Sequence, residues 1–454
     1  MNRSPGGLVA ARLPLDPGPP IDPFALAGPD GILFHTGEQA LVGLGRALTI
    51  ALPHGLDSAS DLDRVRHTLA AIPCEDRLGP VGIGIGVGVV GFGALPFERS
   101  RPASLVVPEI TVGTDASGEM EWVTVVARDR SDLPSGSTGL RAKLHRMTAP
   151  RSGRAGGVLS PVRVDSLSSD ESFEAMVAEA LVAIGDGKVA KVVLARQVDV
   201  QMEATVEIAG LLRRWHELEP NCTVFAVPTP DGRFVGASPE LLVERSGRRV
   251  HSRPLAGTAG PPTGTRGIVP PVELLESRKD GNEHRLVVEA IEQALRPLCS
   301  DLDVPPGPHL VHLHHLTHLG TSVTGTLAGA ADGTVPTALH LVAALHPTPA
   351  VGGVPSAEAC RLINRLEPRP RGNYAGPVGY VDSQGNGRWM VGIRAMSVEG
   401  RRARMAAGVG IVSGSEPAAE LVEANLKLTA VFDALAPGVP FTTSPIPVGH
   451  GTTG

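Results

Sequence analysis

The chain has 454 residues, a formal net charge of −6 and 42% hydrophobic residues, enough apolar material for a large globular core rather than a disordered chain. It carries no basic block, which excludes nucleic acid as an expected partner, and no window approaches the roughly 18 apolar residues of a membrane span. Its four cysteines, Cys74, Cys222, Cys299 and Cys360, are scattered without a CxxC pair, which argues against a zinc site or disulfide framework and predicts a protein of the reducing cytoplasm.

Residues 1–25 are rich in proline and glycine and are expected to be disordered, as is the tail 437–454. Between them, 26–436 reads as a single catalytic domain, weakly patterned to residue 165 and strongly patterned from 166. Short strands around turns occupy 31–50. A helix follows over 61–72, with Leu62, Val65 and Leu69 on one face. The run 81–97 holds Gly86, Gly88 and Gly91 in a formal GxGxxG, but a dinucleotide fingerprint needs that loop to open a helix, and Ala94-Leu95-Pro96 follows instead. A glycine-rich strand packed close to another backbone is the better reading. Residues 129–165 form a polar Gly/Ser/Arg-rich connection.

From 166 the signals are denser. Ser168 with Glu171 reads as a capping box, ahead of a helical stripe of Phe173, Met176, Ala180, Leu181 and Ile184 that stops at Gly185-Asp186-Gly187. A strand over 190–200 leads to a helix over 205–218, whose buried face is Ile208, Leu211, Leu212, Trp215 and Leu218. Three strand-like runs, 222–228, 234–245 and 250–258, are joined by Asp231-Gly232 and Ser246-Gly247 turns and read as one antiparallel meander. A helix from Lys279 to Leu298, two further hairpins and a last helix from Glu416 to Leu435 complete the pattern. The fold class expected is α+β, with large antiparallel β-sheets flanked by helices.

Two helices carry the first hint of chemistry. Glu420, Glu423 and Lys427 fall at i, i+3 and i+7, along one stripe of the last helix, where a solvated face is the ordinary reading. Asp280 and Glu283 stand at i, i+3 at the start of the other helix. Oxygen donors from two elements are what a hard cation such as Mg²⁺ requires, so a bridging Mg²⁺ is expected. Lys191 lies inside an apolar strand, where it either snorkels to the surface or points into a cavity and serves as a base. Glu240 sits between small residues and an apolar run, and burial would raise its pKa towards that of a general acid. In one pocket the two would form an acid/base pair. The histidines His309, His312, His314, His315 and His318 lack an HExxH glutamate and alternate with leucines as on a strand, so they are not read as a metal site.

Nine segments carry a family resemblance: KVVLAR (191–196), GASPELL (236–242), RPLAGT (253–258), KDGNEH (279–284), LTHLG (316–320), LHPTPAVGGVP (345–355), GNGRWMVGIRAM (385–396), GVGIVSGSEP (408–417) and the ExxExxxK face of the last helix. In content and order they resemble the chorismate-utilising enzymes, and within them the isochorismate synthases. The first part resembles the family loosely, through LFHTGEQALVGLG (33–45) and ALPFERS (94–100).

The resemblance implies an anthranilate synthase component I-like fold and a Mg²⁺-dependent conversion of chorismate to isochorismate by a monomer. Lys191 would activate a water to attack ring C2, and Glu240 would protonate the departing C4 hydroxyl. Glu283 and Glu423 would hold the metal, with Asp280 and Glu420 acting through water. Arg394 and Lys427 would bind carboxylates, Gly257, Thr258 and Gly410 would offer close backbone contacts, and His318, Ala350 and Val351 would line the pocket. Anthranilate-type relatives carry a glutamine where this chain has Lys191, which points to hydroxyl rather than ammonia transfer. Salicylate synthases share the lysine and glutamate and then eliminate pyruvate; they are the alternative. Val351 stands where a leucine is expected and Ala424 where a threonine is expected. The product would feed siderophore, menaquinone or salicylate synthesis.

Overall fold

The computed structural model describes residues 7–28, 30–37, 39–78, 88–114, 121–136, 138–148, 160–260, 271–329 and 333–445. Two large sheets, one of fourteen strands and one of nine, dominate it, with a small three-stranded sheet beside them. Among the described residues every strand pair is antiparallel except Val9–Pro14 with Cys74–Asp76 and Pro161–Ser166 with Ser444–Pro445. Phe34, Phe225 and Phe234 from the larger sheet meet Phe92, Val378, Tyr380 and Met390 from the smaller in one apolar layer. Alternation along the strands supplies these inward residues, and the outer faces are covered by helices. The helix Ile208–Leu218 packs Leu211, Leu212 and Trp215 on the larger sheet, and Ala338–Leu345 packs Leu339 and Val342 near the smaller.

The predicted meander divides between the sheets. Gly232–Ser238 belongs to the larger sheet and Leu241–Ser246 to the smaller, and the chain crosses through Pro239 and Glu240. Pro239 has no N–H to continue a ladder, so a strand breaks there naturally. A second crossing runs the other way, from Gly387–Val391 to Ala395–Glu399 through Gly392, Ile393 and Arg394. Arg394 has φ 50°, a left-handed conformation that a side chain bearing Cβ adopts at a cost of about 1–3 kcal/mol. The crossings are tied together. Val391 N donates to Glu240 O at 3.0 Å, Ala237 N donates to Arg394 O at 3.0 Å, and Ser238 Oγ donates to Val391 O at 2.7 Å.

Two helices bring their polar stripes inward. Arg278–Leu295 is capped by Ser277, whose hydroxyl accepts from Asp280 N at 3.2 Å, and it buries Asp280, Glu283 and His284 in line with Val287, Ile291 and Leu295. Pro417–Leu435 begins with a proline in its first turn, where the missing N–H costs nothing, and buries Glu420 and Lys427 with Leu421, Leu428 and Phe432. Neither stripe is a solvated face.

Other expectations need correction. Residues 1–6 of the expected disordered N-terminus lie outside the described residues, but Val9–Pro14 pairs with Glu121–Ala127, and Ala11 and Leu13 are core residues, because VAARLPL carries enough apolar side chains to join a sheet. Asp22 caps a short helix, Pro23–Ala27. Beyond Pro437, Val439 and Phe441 still pack on the core, with Phe441 5.3 Å from the Phe432 ring, and Ser444–Pro445 forms a strand. The 129–165 connection contains the helix Leu140–Thr148 and the strand Pro161–Ser166. Ser169, not Ser168, caps the helix Asp170–Gly185, its hydroxyl accepting from Ser172 N at 3.1 Å. Residues 81–87 of the glycine run lie outside the described residues; Val90–Ala94 is a strand against Pro377–Asp382, and an added Cβ on Gly93 would come 2.4 Å from Leu105 Cδ2.

Ser238→Ala removes one of the two donors to Val391 O, which keeps Ile393 N at 2.8 Å, and takes away the acceptor of the buried Glu240 N, at 3.3 Å. We expect a loss of about 1–3 kcal/mol in urea unfolding with an unchanged denaturant dependence. An unchanged midpoint would show that the crossing does not need the hydroxyl.

Candidate active site

A cavity of about 50 Å³ opens where the crossings meet the inward stripes of the two helices. Of the residues singled out from the sequence, Glu240, Gly257, Thr258, Glu283, His318, Ala350, Val351, Arg394, Gly410 and Lys427 line it. Lys191, Asp280, Glu420 and Glu423 lie behind this lining. A larger cleft of about 770 Å³ lies on the other side of the 346–355 loop and contains none of these residues, so chemistry rather than size marks the site.

Lys191 is fully buried at the start of the strand Lys191–Met202, held between Arg402–Val412 and Gly353–Val354. Its Nζ lies 2.9 Å from Glu283 Oε1, yet the alignment is not that of a hydrogen bond, and Nζ has no hydrogen-bond partner among the described residues. Gly410 explains how the two side chains fit: a Cβ there would stand 2.1 Å from Glu283 Oε1 and 3.1 Å from Lys191 Cε. Only glycine leaves this space.

Glu240, in the first crossing, is 2% exposed. Burial pushes its pKa up to about 8, against the opposing pull of a Leu255 backbone hydrogen bond and of Lys191, Lys427 and Arg394. At neutral pH it is a protonated acid able to donate. In the second crossing, Arg394 Nη2 donates to His318 Nε2 at 3.0 Å. Arginine can only donate, so Nε2 is unprotonated and the proton sits on Nδ1, which donates to Gly257 O at 3.0 Å. Burial, then Arg394 and Lys427, bring His318 down to about 3, which agrees with a neutral ring. Gly257 has φ 75°, and its carbonyl is aimed by that turn. Burial also lowers the Arg394 pKa, and among the described residues this guanidinium makes no ion pair.

Four carboxylates from the two helices crowd one side of the cavity, Glu283 in its lining and the other three behind it. Burial opposes the charge on Glu423, but Lys427, 2.6 Å away, holds its pKa below the ordinary value. Lys427 also donates to Gly408 O at 3.0 Å. Burial and then the nearby Glu423 raise Glu420, in spite of Lys279 at 2.6 Å, and Glu420 Oε2 is buried without a hydrogen-bond partner. Asp280 is raised by burial and further by Glu283 and Glu423, while Ser277 donates to it and Thr258 N approaches at 3.4 Å. Each carboxylate thus faces its own lysine or hydroxyl, and among the described residues no three His, Cys, Asp or Glu side chains converge as a metal-ligand cluster. The expected metal residues are brought to one place but are not arranged as a cage.

Arg371, Tyr374, Ile393, Leu255, Val193 and Gly408 also line the cavity and were not singled out from the sequence. Tyr374 is pushed up to about 12 by burial and precedes Ala375, which has φ 61°. The RGNYAG run carries no periodicity or cap that could have exposed this role.

A family model described as chorismate binding enzyme matches residues 35–436. The chain is 36% identical over 431 residues to a Mycobacterium tuberculosis protein named putative isochorismate synthase MenF, covering 92% of this chain and 96% of that one. It is 35% identical over 343 residues to the isochorismate synthase EntC of Escherichia coli, covering 75% and 80%. Among solved structures, a putative 2,3-dihydroxybenzoate-specific isochorismate synthase, DhbC from Bacillus anthracis, superposes with a TM-score of 0.71 at 30% identity, covering 90% of this chain and 96% of that one. The menaquinone-specific isochorismate synthase MenF from Escherichia coli gives a TM-score of 0.74 at 24% identity, covering 94% and 95%, a likeness of fold.

The raised pKa of Glu240 has a consequence for stability. A group whose folded pKa lies above its unfolded value stabilises fully below the unfolded pKa, and that contribution is lost as pH rises through the folded one. Relative to Glu240→Gln, the native protein should lose stability steadily between about pH 4.5 and pH 8 and run parallel above. Parallel stability curves across that whole window, followed by thermal melts, would show that the carboxyl is not held protonated.

Proposed function

The chain belongs to the chorismate-binding enzyme family, and on that premise we propose that it is an isochorismate synthase, converting chorismate to isochorismate with Mg²⁺. The observation that supports this most is that a buried, protonated glutamate lines one small cavity with an arginine that has no carboxylate partner among the described residues, while a fully buried lysine lies directly behind Glu283 in its wall. A base, an acid and an anion receptor are the three parts the reaction needs.

Lys191 takes a proton from water as the oxygen attacks ring C2. The conjugated diene of the ring shifts, the C4–O bond breaks, and Glu240 gives its proton to the departing hydroxyl, which leaves as water. One water enters and one leaves. Arg394 spends one N–H on His318 and keeps the rest of its planar fork for a carboxylate of the substrate. Lys427, on the same cavity, supplies a second cation.

The donor set suits a hard divalent cation: burial and then neighbouring carboxylates raise the proton affinity of Asp280 and Glu420, and Glu420 Oε2 is buried and unpaired. Glu283 and Glu423 would hold Mg²⁺, with Asp280 and Glu420 acting through water, and the ion would supply positive charge to the C1 carboxylate. No helix among the described residues is long and apolar enough to cross a membrane, and all four cysteines are free thiols. We place the enzyme in the cytoplasm, working as a monomer, since one chain supplies every group named.

Incubation with chorismate and Mg²⁺, with and without EDTA, should give isochorismate in equilibrium with chorismate only when the metal is available. Salicylate with pyruvate would reassign the protein to the salicylate synthases, and no product would remove the reading. Lys191→Ala should lower kcat by about 10²–10⁴-fold while leaving the fold intact. Glu423→Gln should raise the Mg²⁺ concentration needed for half-maximal rate, and an unchanged requirement would place the metal elsewhere. The acid must be protonated, so kcat/KM should fall as pH rises through about 8. A rate that stays level to pH 9 would exclude Glu240 as that acid.

A further inference from the structure

Arg371 and Glu367 form a buried ion pair that the acid/base chemistry does not use. Their side chains are 1% and 2% exposed. The helix Ser356–Leu366 ends just before them, so their four-residue spacing is not that of a helical surface pair. Arg371 Nε donates to Glu367 Oε1 at 3.1 Å and to Oε2 at 3.0 Å, and Nη2 donates to Oε1 at 2.5 Å. The Phe97 ring lies 4.3 Å from the guanidinium carbon. The other side of the fork holds backbone: Nη1 donates to Val351 O at 2.7 Å and Nη2 to Val193 O at 2.8 Å. Glu367 Oε1 accepts from Ala195 N at 2.9 Å.

These contacts join two walls of the cavity. Val193 stands two residues beyond Lys191 on the same strand, hence on the same face. Val351 lies in the loop that presents Ala350 to the cavity, and Val193 N donates to Gly352 O at 2.8 Å. Burying two charges returns little net stability, and apolar side chains of similar volume often serve as well. A planar fork that bonds a carboxylate and two carbonyls at once does what neither an apolar pair nor a lysine can: it sets a distance.

We infer that the Glu367–Arg371 pair is a positioning device that fixes the strand bearing Lys191 against the loop bearing Ala350 and Val351, and so sets the width of the substrate cavity. For its catalytic consequence this rests on the isochorismate synthase reading. The pair itself can be tested without turnover.

Arg371→Lys retains the charge facing Glu367 and loses the fork. Expected are a melting temperature close to the native one, a kcat lower by about 10–100-fold with a raised KM for chorismate, and an unmoved pH limb near 8. Hydrogen exchange should quicken in peptides covering 190–196 and 347–354 and stay unchanged elsewhere. Phe97→Leu removes the ring under the guanidinium together with its edge contact to His346, and should quicken exchange in the 190–196 peptide as well as in 347–354, more weakly than the lysine variant. It decides the matter if the lysine variant does not fold. Native exchange in both peptides and native kinetics in a folded variant would overturn the proposal, as would losses of rate that follow global melting alone. If the native protein does not convert chorismate but the two peptides still loosen together, the functional reading fails and the positioning device stands.

Discussion

The site depends on the paired crossings between the two sheets. At Pro239-Glu240 and at Gly392–Arg394 the chain leaves one sheet for the other, and three hydrogen bonds tie these passages to each other. A crossing is one of the few places where a strand can present a charged side chain to the interior between layers, because the alternation of faces is interrupted there. Glu240 and Arg394 occupy these two places. One becomes an acid that keeps its proton, and the other a guanidinium without a counter-ion among the described residues.

Everything else charged near the cavity follows from that arrangement. Four carboxylates and three lysines are drawn inward on two helices and one strand, where apolar residues at the same helical spacing bury the remainder of each element. Such a cluster is tolerable because three of the carboxylates have a lysine beside them, Lys191 at Glu283, Lys427 at Glu423 and Lys279 at Glu420, and Asp280 accepts from the Ser277 hydroxyl. Burial, and after it the like-charged neighbours, still raise the proton affinity of Asp280 and Glu420, so the group retains a demand for positive charge that the lysines do not meet. On the proposed function, metal binding and substrate binding would be two ways of answering one electrostatic imbalance.

Much of this was legible in the sequence because it is periodic. The helices at 278–295 and 417–435, the strand bearing Lys191 and the charged stripes all follow from spacing, and the family resemblance assigned roles that spacing alone left open. What escaped was set by tertiary contact. The meander over 222–258 looked continuous because turn residues join its strands, whereas its division between sheets depends on what each half meets in space. Arg371 and Tyr374 belong to an irregular segment with no local pattern. The N-terminal strand was hidden by flanking prolines and glycines, although the six residues of Val9–Pro14 include enough apolar side chains to join the sheet edge.

The central claim is that the oxygen added at C2 comes from a water activated at Lys191, and the hydroxyl lost from C4 leaves with the proton of Glu240. Turnover of chorismate in ¹⁸O-labelled water, stopped early and read by mass spectrometry, tests it most directly. The account predicts one labelled oxygen, at C2, in the first isochorismate formed. Unlabelled product would mean that the C4 hydroxyl migrates within the substrate, and would contradict the roles given to both residues.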